Sequence, residues 1–400
     1  MGFLLNVLLV LLVMYGYVGW RVIYPFSFQP LLKRVFWSWL LLSWISFPVP
    51  IFLRIQGIES MWSDILAWFV NINLGLFSLI FVSIFGIDIL RLPFFIVKGF
   101  AFFRRSKTSS QLNLKGTFGA SRRQFLSDSA RLGIMGATGS ITLFGINEAL
   151  ASPRIQEVQI VLPHLPDAME GFRIAQITDL HVGPTIKENF VRDVVEKVNQ
   201  LGADIVVVTG DLVDGSVPYL RNDVSPLGDL SAPQGKFFVT GNHEYYSGVH
   251  AWVEEIDRLG FDVLLNRNRI LRLGSARCLL GGVTDFQGGL YFPEHQSSPK
   301  AAISNAPPTD IKILLAHQPK NVFEASKAGF DFQISGHTHG GQYVPWNYFA
   351  LMANNYLSGL YRHENMWLYV SPGTGFWGPP MRLGTRSEIT LFTLTRKLAT

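Results

Sequence analysis

The chain of 400 residues lacks several features that define common protein classes. Its single cysteine, Cys278, excludes an intramolecular disulfide framework and a cluster of thiolate metal ligands. Internal repeats and low-complexity segments are also missing. Charged residues are scarce, at 16%, and unevenly placed: 1–131 carries 13 basic and 4 acidic residues, and 132–400 carries 21 and 25. Because the second part is mildly acidic, no nucleic-acid partner is predicted.

Three long stretches near the N-terminus contain no charged residue, which excludes a fully soluble protein. Residues 3–20, 35–53 and 65–87 are apolar, and each approaches the roughly 20 residues with which a helix crosses a bilayer. One stretch alone could be a signal peptide, but three in succession predict a helical transmembrane region over 1–103 that contacts membrane lipid. The apolar patch 92–103, interrupted by one lysine, is predicted to lie at the membrane interface, with a short additional span as the alternative.

The charges of the connecting loops predict how these helices are oriented. The segment 88–131 holds nine basic and two acidic residues, and 21–34 holds three basic residues and no acidic one, as is typical of cytoplasmic loops. The loop 54–64 has one basic and two acidic residues, so it fits the cytoplasmic side least. The pattern predicts a multi-pass membrane protein with an external N-terminus.

The segment 104–151 is a basic linker with two interpretations. Its residues 121–126, SRRQFL, resemble a twin-arginine export signal, and an A-x-A cleavage pattern follows at 149–151. Alternatively, the two arginines are the basic flank of a fourth membrane helix. Either interpretation carries 152–400 across the membrane, so this part is predicted to be extracytoplasmic.

From residue 152 onward, short β-branched runs alternate with amphipathic segments, as is typical of an α/β domain. The runs predicted as strands are 172–178, 204–209, 236–240, 277–283, 311–316, 331–335, 366–370 and 388–394. The segments predicted as helices are 187–201, 249–259 and 321–327. We therefore predict one α/β domain over 152–400.

Polar side chains directly follow five of the predicted strands. The motifs are Asp179-x-His181, Gly210-Asp211-x-x-Asp214, Gly241-Asn242-His243-Glu244, His317, and Gly336-His337-Thr338-His339. Ligands of α/β sheets collect at the carboxyl ends of strands, so we expect these side chains at one rim. Carboxylate, imidazole and amide donors without thiolate suit divalent Mn, Fe, Zn or Mg.

Each motif taken singly has an ordinary structural explanation. An Asp-x-His pair is common, a histidine at a strand end often only packs, and the GDxxD pattern can be a turn with a helix cap. The combination is harder to explain in this way, because all nine histidines follow Pro163 and five of them lie in the motifs. We therefore interpret the set as a metal site.

The order of the motifs D-x-H, GDxxD, GNHE, H and GHTH resembles the calcineurin-like metallophosphoesterase family over about residues 170–395. GNHEYYSG (241–248) and GHTHGGQ (336–342) are similar to its membrane-linked bacterial YkuE/YaeI-type branch. The resemblance implies a sandwich of two mixed sheets flanked by helices, with two divalent metal ions at the rim. It assigns Asp179, His181 and His339 to the first ion, Asn242, His317 and His337 to the second, and Asp211 to both.

The same resemblance implies a catalytic chemistry. His243 would lie beside the phosphate rather than on a metal, and with Asp211 it forms the catalytic pair. SPGTG at 371–375 replaces the more usual Asn-Arg-Gly-x-Gly, so Arg382 becomes the candidate for binding substrate. The implied reaction is hydrolysis of a phosphodiester or pyrophosphate by a metal-bridging hydroxide, with His243 as proton donor.

The substrate is the least determined part of the prediction. The uncharged, aromatic segment 342–361 either contacts an acyl chain or the membrane interface, or packs on the domain as a hydrophobic lid. Membrane tethering favours a lipid or glycolipid phosphate, and the resemblance implies UDP-2,3-diacylglucosamine as one candidate, although that reaction belongs to the cytoplasmic leaflet. The alternatives are phosphoester hydrolysis of soluble extracytoplasmic substrates and a catalytically silent metal-binding sensor.

Overall fold

Helices make up the N-terminal region, and two β-sheets form the centre of the rest of the chain. The computed structural model describes residues 2–25, 30–104 and 117–397, so the predicted linker is described only in part, without 105–116. The chain divides into two compact units. One comprises Met1–Gln56 and Phe69–Phe144, and the other comprises Gly57–Trp68 and Gly145–Thr400.

The first unit is helical and contains the predicted membrane region. The helices that enter it are Gly2–Val18, Pro30–Ser46, Val49–Ile55, Met61–Arg104 and Thr117–Leu150. Among the described residues, three stretches are long and apolar enough to cross a membrane, and each overlaps one of the three predicted spans: Leu5–Ile23, Pro30–Ile55 and Met61–Phe94. The patch predicted to be interfacial, 92–103, is not a separate element, because it continues the helix Met61–Arg104.

Polar side chains in this unit bond to one another across helices. Trp39 Nε1 donates to Asn73 Oδ1 at 2.7 Å. Arg21 Nε donates to Asp88 Oδ2 at 2.6 Å. These bonds satisfy polar groups between apolar helices, where an unpaired group is costly.

The second unit is built on twelve strands. In chain order they are β1 (Arg154–Val161), β2 (Arg173–Ile177), β3 (Ile205–Val208), β4 (Lys236–Phe238), β5 (Asp262–Val263), β6 (Arg267–Leu273), β7 (Ala276–Gly282), β8 (Ile311–Leu315), β9 (Phe332–Ser335), β10 (Gly359–His363), β11 (Met366–Val370) and β12 (Glu388–Thr395). One sheet has the order β1-β12-β2-β3-β4-β5, and the other has the order β10-β11-β9-β8-β7-β6. Both sheets are mixed, so the predicted sandwich of two mixed sheets is confirmed.

All eight predicted strands are present, and the four strands that were not predicted are the four sheet edges. β1, β5, β6 and β10 are the outer strands of the two sheets. An edge strand is partly solvated and carries polar residues, as in RIQEVQIV of β1 and RNRILRL of β6. Such a strand lacks the continuous apolar run on which the prediction depended.

The sheets enclose one apolar layer, and helices cover their outer faces. Ile174 and Val207 of the first sheet and Ile313 and Phe332 of the second are fully buried in the layer between the sheets. The remaining helices of this unit are Glu188–Gln200, Val217–Val224, Asn242–Ser247, Val249–Arg258, Pro299–Ile303, Val322–Ala328 and Trp346–Asn354. The strands β2, β3 and β4 are parallel, as are β7, β8 and β9. Their carboxyl ends therefore meet at a common rim.

Candidate metal centre

The side chains that follow β2, β3, β8 and β9 converge into two adjoining groups. The first group is Asp179, His181 and His339, and the second group is Asp211, His317 and His337. Within each group, the atoms able to bind a metal lie within 4.8 Å of one another. All six side chains are among the ligands that the resemblance assigns, and a third group, His181, Asp211 and His243, overlaps both. The ligand roles themselves remain predictions.

In the first group, two imidazole rings face each other. His181 Nε2 lies 3.0 Å from His339 Nε2, and His339 Nε2 lies 3.4 Å from Asp179 Oδ1. The Asp179 carboxylate is fully buried and accepts the His337 backbone N–H at 2.9 Å and the Thr178 hydroxyl at 2.8 Å. Its position is therefore fixed by neighbouring strand ends rather than by solvent.

In the second group, His317 links the two sheets. Its Nδ1 donates to the carbonyl oxygen of Thr209 at 2.8 Å. This bond leaves its Nε2 directed at Asp211 Oδ2 and His337 Nδ1, each 3.1 Å away. A backbone acceptor on one ring nitrogen is the usual way to orient the other nitrogen toward a metal.

Asp211 lies between the two groups. Its Oδ2 is 3.9 Å from His181 Nε2 and 3.9 Å from His243 Nε2, in addition to the shorter contact with His317. Its Oδ1 accepts the backbone N–H of His243 at 2.8 Å. Asp211 is therefore the carboxylate that both groups share.

Charge is distributed unevenly over this buried rim. Burial by itself raises the pKa of the Asp211 carboxyl, but the surrounding imidazoles, His317 first, outweigh it and hold this pKa well below its usual range. Burial raises the pKa of Asp179. It also lowers the pKa of His337 to about 3 and that of His339 well below its usual value. Burial by itself lowers the pKa of His317, but the Asp211 carboxylate outweighs it and raises this pKa to about 10, so a divalent cation bound at this ring would displace a proton.

Several buried polar atoms at the rim have no hydrogen-bond partner among the described residues. They include Asn242 Oδ1 and His339 Nδ1. In addition, two pairs of imidazole nitrogens approach within about 3 Å, which needs a proton or a cation between them. The donor set and these unpaired atoms fit the divalent cations that the fold family implies.

The backbone at the candidate ligands is strained. In the part of the chain that the structure describes, ten non-glycine residues have a left-handed backbone. Five of them are candidate ligands, with φ between 51° and 74°: Asp179, His181, Asp211, His337 and His339. Each such conformation costs of order 1–3 kcal/mol and persists only where the surroundings enforce it. This signal could not be obtained from the sequence, and it supports a functional use of the rim.

Two glycines of the motifs allow a close approach of a carboxylate. A Cβ on Gly241 would lie 2.2 Å from Asp211 Oδ1, and a Cβ on Gly336 would lie 2.2 Å from Asp179 Oδ2. Gly210 differs, because it has a left-handed backbone with φ 88°, and a Cβ there would lie 2.5 Å from the Gly241 backbone nitrogen. Glycine precedes Asn242 and His337 because a neighbouring carboxylate occupies the space of a side chain.

Two acidic residues within the motifs support the site, although they were given no role beforehand. Asp214 Oδ1 accepts from His243 Nδ1 at 2.5 Å, and its Oδ2 accepts from His181 Nδ1 at 3.1 Å. Glu244 is fully buried and accepts the backbone N–H groups of Gly241 and Asp211 at 2.7 and 3.0 Å. The only sequence signal for both was an acidic residue inside a motif that already held ligands.

Arg382, the predicted substrate-binding residue, is fully buried. Its Nη2 donates to the carbonyl oxygens of Pro372 and Gly375 at 2.7 and 2.6 Å. Its Nη1 lies 3.4 Å from the carbonyl oxygen of His339. Substrate binding by Arg382 stays a prediction, and these contacts favour a role in holding the 372–375 loop against the first group.

His243 lies at the rim between two aromatic side chains. Its ring centroid is 5.0 Å from that of Tyr246 and 5.3 Å from that of Trp377. Tyr246 and Trp377 are half-exposed, whereas His243 is buried. The aromatic pair therefore forms the wall beside the candidate proton donor, and neither residue was identified from the sequence.

Comparison with known proteins agrees with this geometry. The model of the calcineurin-like phosphoesterase family matches residues 172–341, which include all the candidate ligands. An uncharacterized metallophosphoesterase of Helicobacter pylori is 36% identical over 282 residues, which cover 69% of this chain and 73% of that protein. The chain belongs to the calcineurin-like metallophosphoesterase family. The resemblance inferred from the motifs is confirmed.

Other relatives of this phosphoesterase domain differ in length. A transmembrane protein with metallophosphoesterase domain from Danio rerio is 36% identical over 262 residues, covering 63% of this chain and 60% of the relative. The uncharacterized metallophosphoesterase YkuE of Bacillus subtilis is 28% identical over 289 residues, covering 68% of this chain and 97% of that protein. With the three apolar helices, the transmembrane relative supports membrane association.

Proposed function

We propose that this protein is a membrane-anchored hydrolase of phosphodiesters or pyrophosphates that uses two divalent metal ions. The observation that carries the proposal is the convergence of six side chains able to bind metal into two adjoining groups around Asp211. Family membership supports the reaction class.

The proposed ligand roles follow the two groups. Asp179, His181 and His339 would hold one ion, His317 and His337 with Asn242 the other, and Asp211 both. Asn242 belongs to the second set because its buried Oδ1 lacks a partner among the described residues and its neighbour His243 contacts Asp211. Bound divalent cations would supply a water of lowered pKa and neutralise the phosphoryl oxygens.

His243 is proposed as the proton donor to the leaving oxygen. Its Nδ1–H is engaged by Asp214, so its Nε2 is the atom directed toward the reacting phosphate. The Asp214 carboxylate also stabilises the imidazolium form, which is the form able to donate. General acid catalysis of this kind contributes typically 10²–10⁴-fold.

We further propose a lipid-linked substrate. The helix Trp346–Asn354 follows the GHTH motif and presents Tyr348, Phe349 and Met352 with exposed fractions of 62%, 57% and 82%. The segment 342–361 contains no charged residue. A packed hydrophobic lid would bury these side chains, so their exposure favours contact with an acyl chain or the membrane interface.

Retention of the N-terminal region as a membrane anchor is part of the proposal. The helix Thr117–Leu150 includes the arginines of the export-like motif and runs to the A-x-A pattern. Ala149 of that pattern is fully buried in the core of the second unit, and the Gly145 carbonyl accepts the Arg382 backbone N–H at 3.0 Å. Leu150 and Ala151 of the pattern are exposed, but the burial of Ala149 favours a retained helix over a removed signal, and the loop charges favour an extracytoplasmic domain.

The reaction class is tested with the purified full-length protein and bis-p-nitrophenyl phosphate in the presence of Mn²⁺. The wild type is expected to hydrolyse the ester, and His243→Ala is expected to retain both ions while kcat falls about 10²–10⁴-fold. His164→Ala, a change of a more exposed histidine at the surface, is the matched control. An inactive wild type with full metal content would instead indicate a metal-binding sensor.

The substrate class is tested by changing the exposed helix. The triple variant Tyr348→Ser, Phe349→Ser, Met352→Ser is expected to keep activity on the soluble ester and lose activity on a phosphodiester lipid in vesicles. Ile155→Ser, an exposed apolar position on β1, is the matched control. Equal losses on both substrates would contradict a lipid-facing role for this helix and favour soluble extracytoplasmic substrates.

A further inference from the structure

A short segment between two membrane helices belongs to the same compact unit as the candidate metal centre. Gly57–Trp68 is grouped with Gly145–Thr400 and not with the residues around it in sequence. We propose that Glu59 in this segment is a positioning residue for the active site, and that it acts on Asp214 through the backbone of the next two residues. The inference rests on the proposed function.

Glu59 accepts hydrogen bonds from Ser216, which lies two residues after the motif residue Asp214. Its Oε1 accepts the Ser216 backbone N–H at 2.9 Å, and its Oε2 accepts the Ser216 hydroxyl. A Cβ on Gly215 would lie 2.6 Å from Glu59 Oε1, so only glycine leaves room for this carboxylate. A carboxylate that accepts two bonds from one residue fixes that residue in position and orientation.

Residues 214 and 215 are held by two further backbone hydrogen bonds. The fully buried indole of Trp252 donates through Nε1 to the Gly215 carbonyl oxygen at 2.9 Å. The Asp214 backbone N–H donates to the Val182 carbonyl oxygen at 2.7 Å. With Glu59 in place, residues 214–216 are therefore bound on both sides, and the Asp214 carboxylate has a defined direction.

Asp214 transmits this position to the site. It accepts from the Nδ1 atoms of both His243 and His181, so it sets the tautomer and orientation of the candidate proton donor and of one candidate ligand. A shift of residues 214–216 would turn both rings. Misplacement of catalytic groups by about 1 Å can cost roughly 10²-fold in rate.

The segment that carries Glu59 has hydrogen bonds of its own and a second contact with the domain. Ser60 and Ser63 cap the start of the helix Met61–Arg104 reciprocally, through backbone-to-hydroxyl bonds of 2.8 and 3.3 Å. One turn later, Asp64 Oδ2 accepts from the Tyr219 hydroxyl at 2.8 Å and from Lys187 Nζ at 2.9 Å. Glu59 is thus presented to residues 215 and 216 by a fixed backbone.

The contact also has a topological consequence. Segment 57–64 and the domain 152–400 must lie on the same side of the membrane, so the chain between them crosses it an even number of times. Met61–Phe94 is a candidate crossing. The helix Thr117–Leu150, about 50 Å long at 1.5 Å per residue, is long enough for a return crossing, but it is less apolar than the three candidate spans found among the described residues.

The experiment compares Glu59→Gln and Glu59→Ala with the control Glu157→Gln, which changes an exposed glutamate on β1. In the full-length protein at saturating Mn²⁺, the Glu59 variants are expected to lose about ten- to a hundredfold in kcat, with little change in KM. Hydrogen exchange of peptides covering 214–219 is expected to become faster in the Glu59 variants alone. Both effects are expected to be smaller in Glu59→Gln, which retains one acceptor oxygen.

The outcomes separate this inference from the proposed function. Unchanged exchange in the Glu59 variants would overturn the contact, and faster exchange with unchanged kcat would overturn the positioning role. If the wild type hydrolyses no phosphoester, the proposed function fails, and the exchange measurement alone still decides whether Glu59 holds residues 214–219. A loss of kcat equal to that of Glu157→Gln would also contradict the inference.

Discussion

The two ligand groups lie at the same rim but are held in different ways. The second group is fixed by neighbouring strand ends, since His317 donates to Thr209 and Glu244 accepts the backbone N–H groups of Gly241 and Asp211. The first group depends in addition on the loop 371–375 and on Arg382, which donates to two carbonyl oxygens of that loop. The first group is therefore expected to be the more easily disturbed of the two.

The loop that supports the first group lies very close to its ligands. A Cβ on Gly373 would lie 3.1 Å from Asp179 Cβ and 3.2 Å from His339 Nδ1. This loop is also where the sequence departs from the family pattern, with SPGTG in place of Asn-Arg-Gly-x-Gly. Packing of the loop against Asp179 and His339 is thus maintained here by a buried guanidinium that follows the loop in sequence.

The largest effect is expected from the residue that both groups share. Asp211→Asn removes the ionised carboxylate between the two groups, so both ions should be lost and activity should fall by more than the roughly 10²–10³-fold of a single stabilising donor. Metal analysis and kcat measured together check this. Two ions per chain in Asp211→Asn would show that Asp211 is not the shared ligand.

A smaller and selective effect is expected when one group is disrupted. His339→Ala should release the first ion and His337→Ala the second, with one ion per chain remaining in each variant, because the two rings belong to different groups. Metal content by elemental analysis is the measurement, and His164→Ala is the control. Loss of both ions in both variants would mean that the groups do not bind independently.

The smallest effect is expected from Arg382, which contacts the loop beside the first group. Arg382→Lys keeps a charge but cannot donate to all the carbonyls that the guanidinium contacts, so the free energy of unfolding should fall by about 1–3 kcal/mol. Affinity for the first ion should fall about 10–100-fold, while the second ion is retained. Arg362→Lys, at an exposed position of β10, is the control. Equal weakening of both ions would contradict the difference between the groups.

The sequence predicted the inner strands of the two sheets better than their edge strands. Buried strands such as β3, with IVVV, have an apolar pattern that any buried strand must have. The edge strands β1 and β6 have a solvated face, and the short β5 has only two residues, so neither pattern nor length distinguishes them from loops. Their pairing depends on partners far away in the chain.

The candidate ligands could be picked out from the sequence because they depend on residue type and on position after a strand. The supporting residues were not predictable in the same way. Trp377 follows the 371–375 loop with no motif around it, and Glu59 lies more than a hundred residues from Ser216, its partner. A contact at that separation leaves no local pattern in the sequence.

The chemistry predicted for the rim and the presence of apolar helices follow from the sequence, because donor type, spacing after strands and uncharged length are local properties of the chain. The folded arrangement was needed to see which histidines lie together in one group, which glycines make room for carboxylates, and which acidic residues contact the rings. It also groups Gly57–Trp68 with the phosphoesterase domain. These features depend on distances between residues remote in sequence, which are fixed only when the two sheets pack and bring their strand ends to one rim.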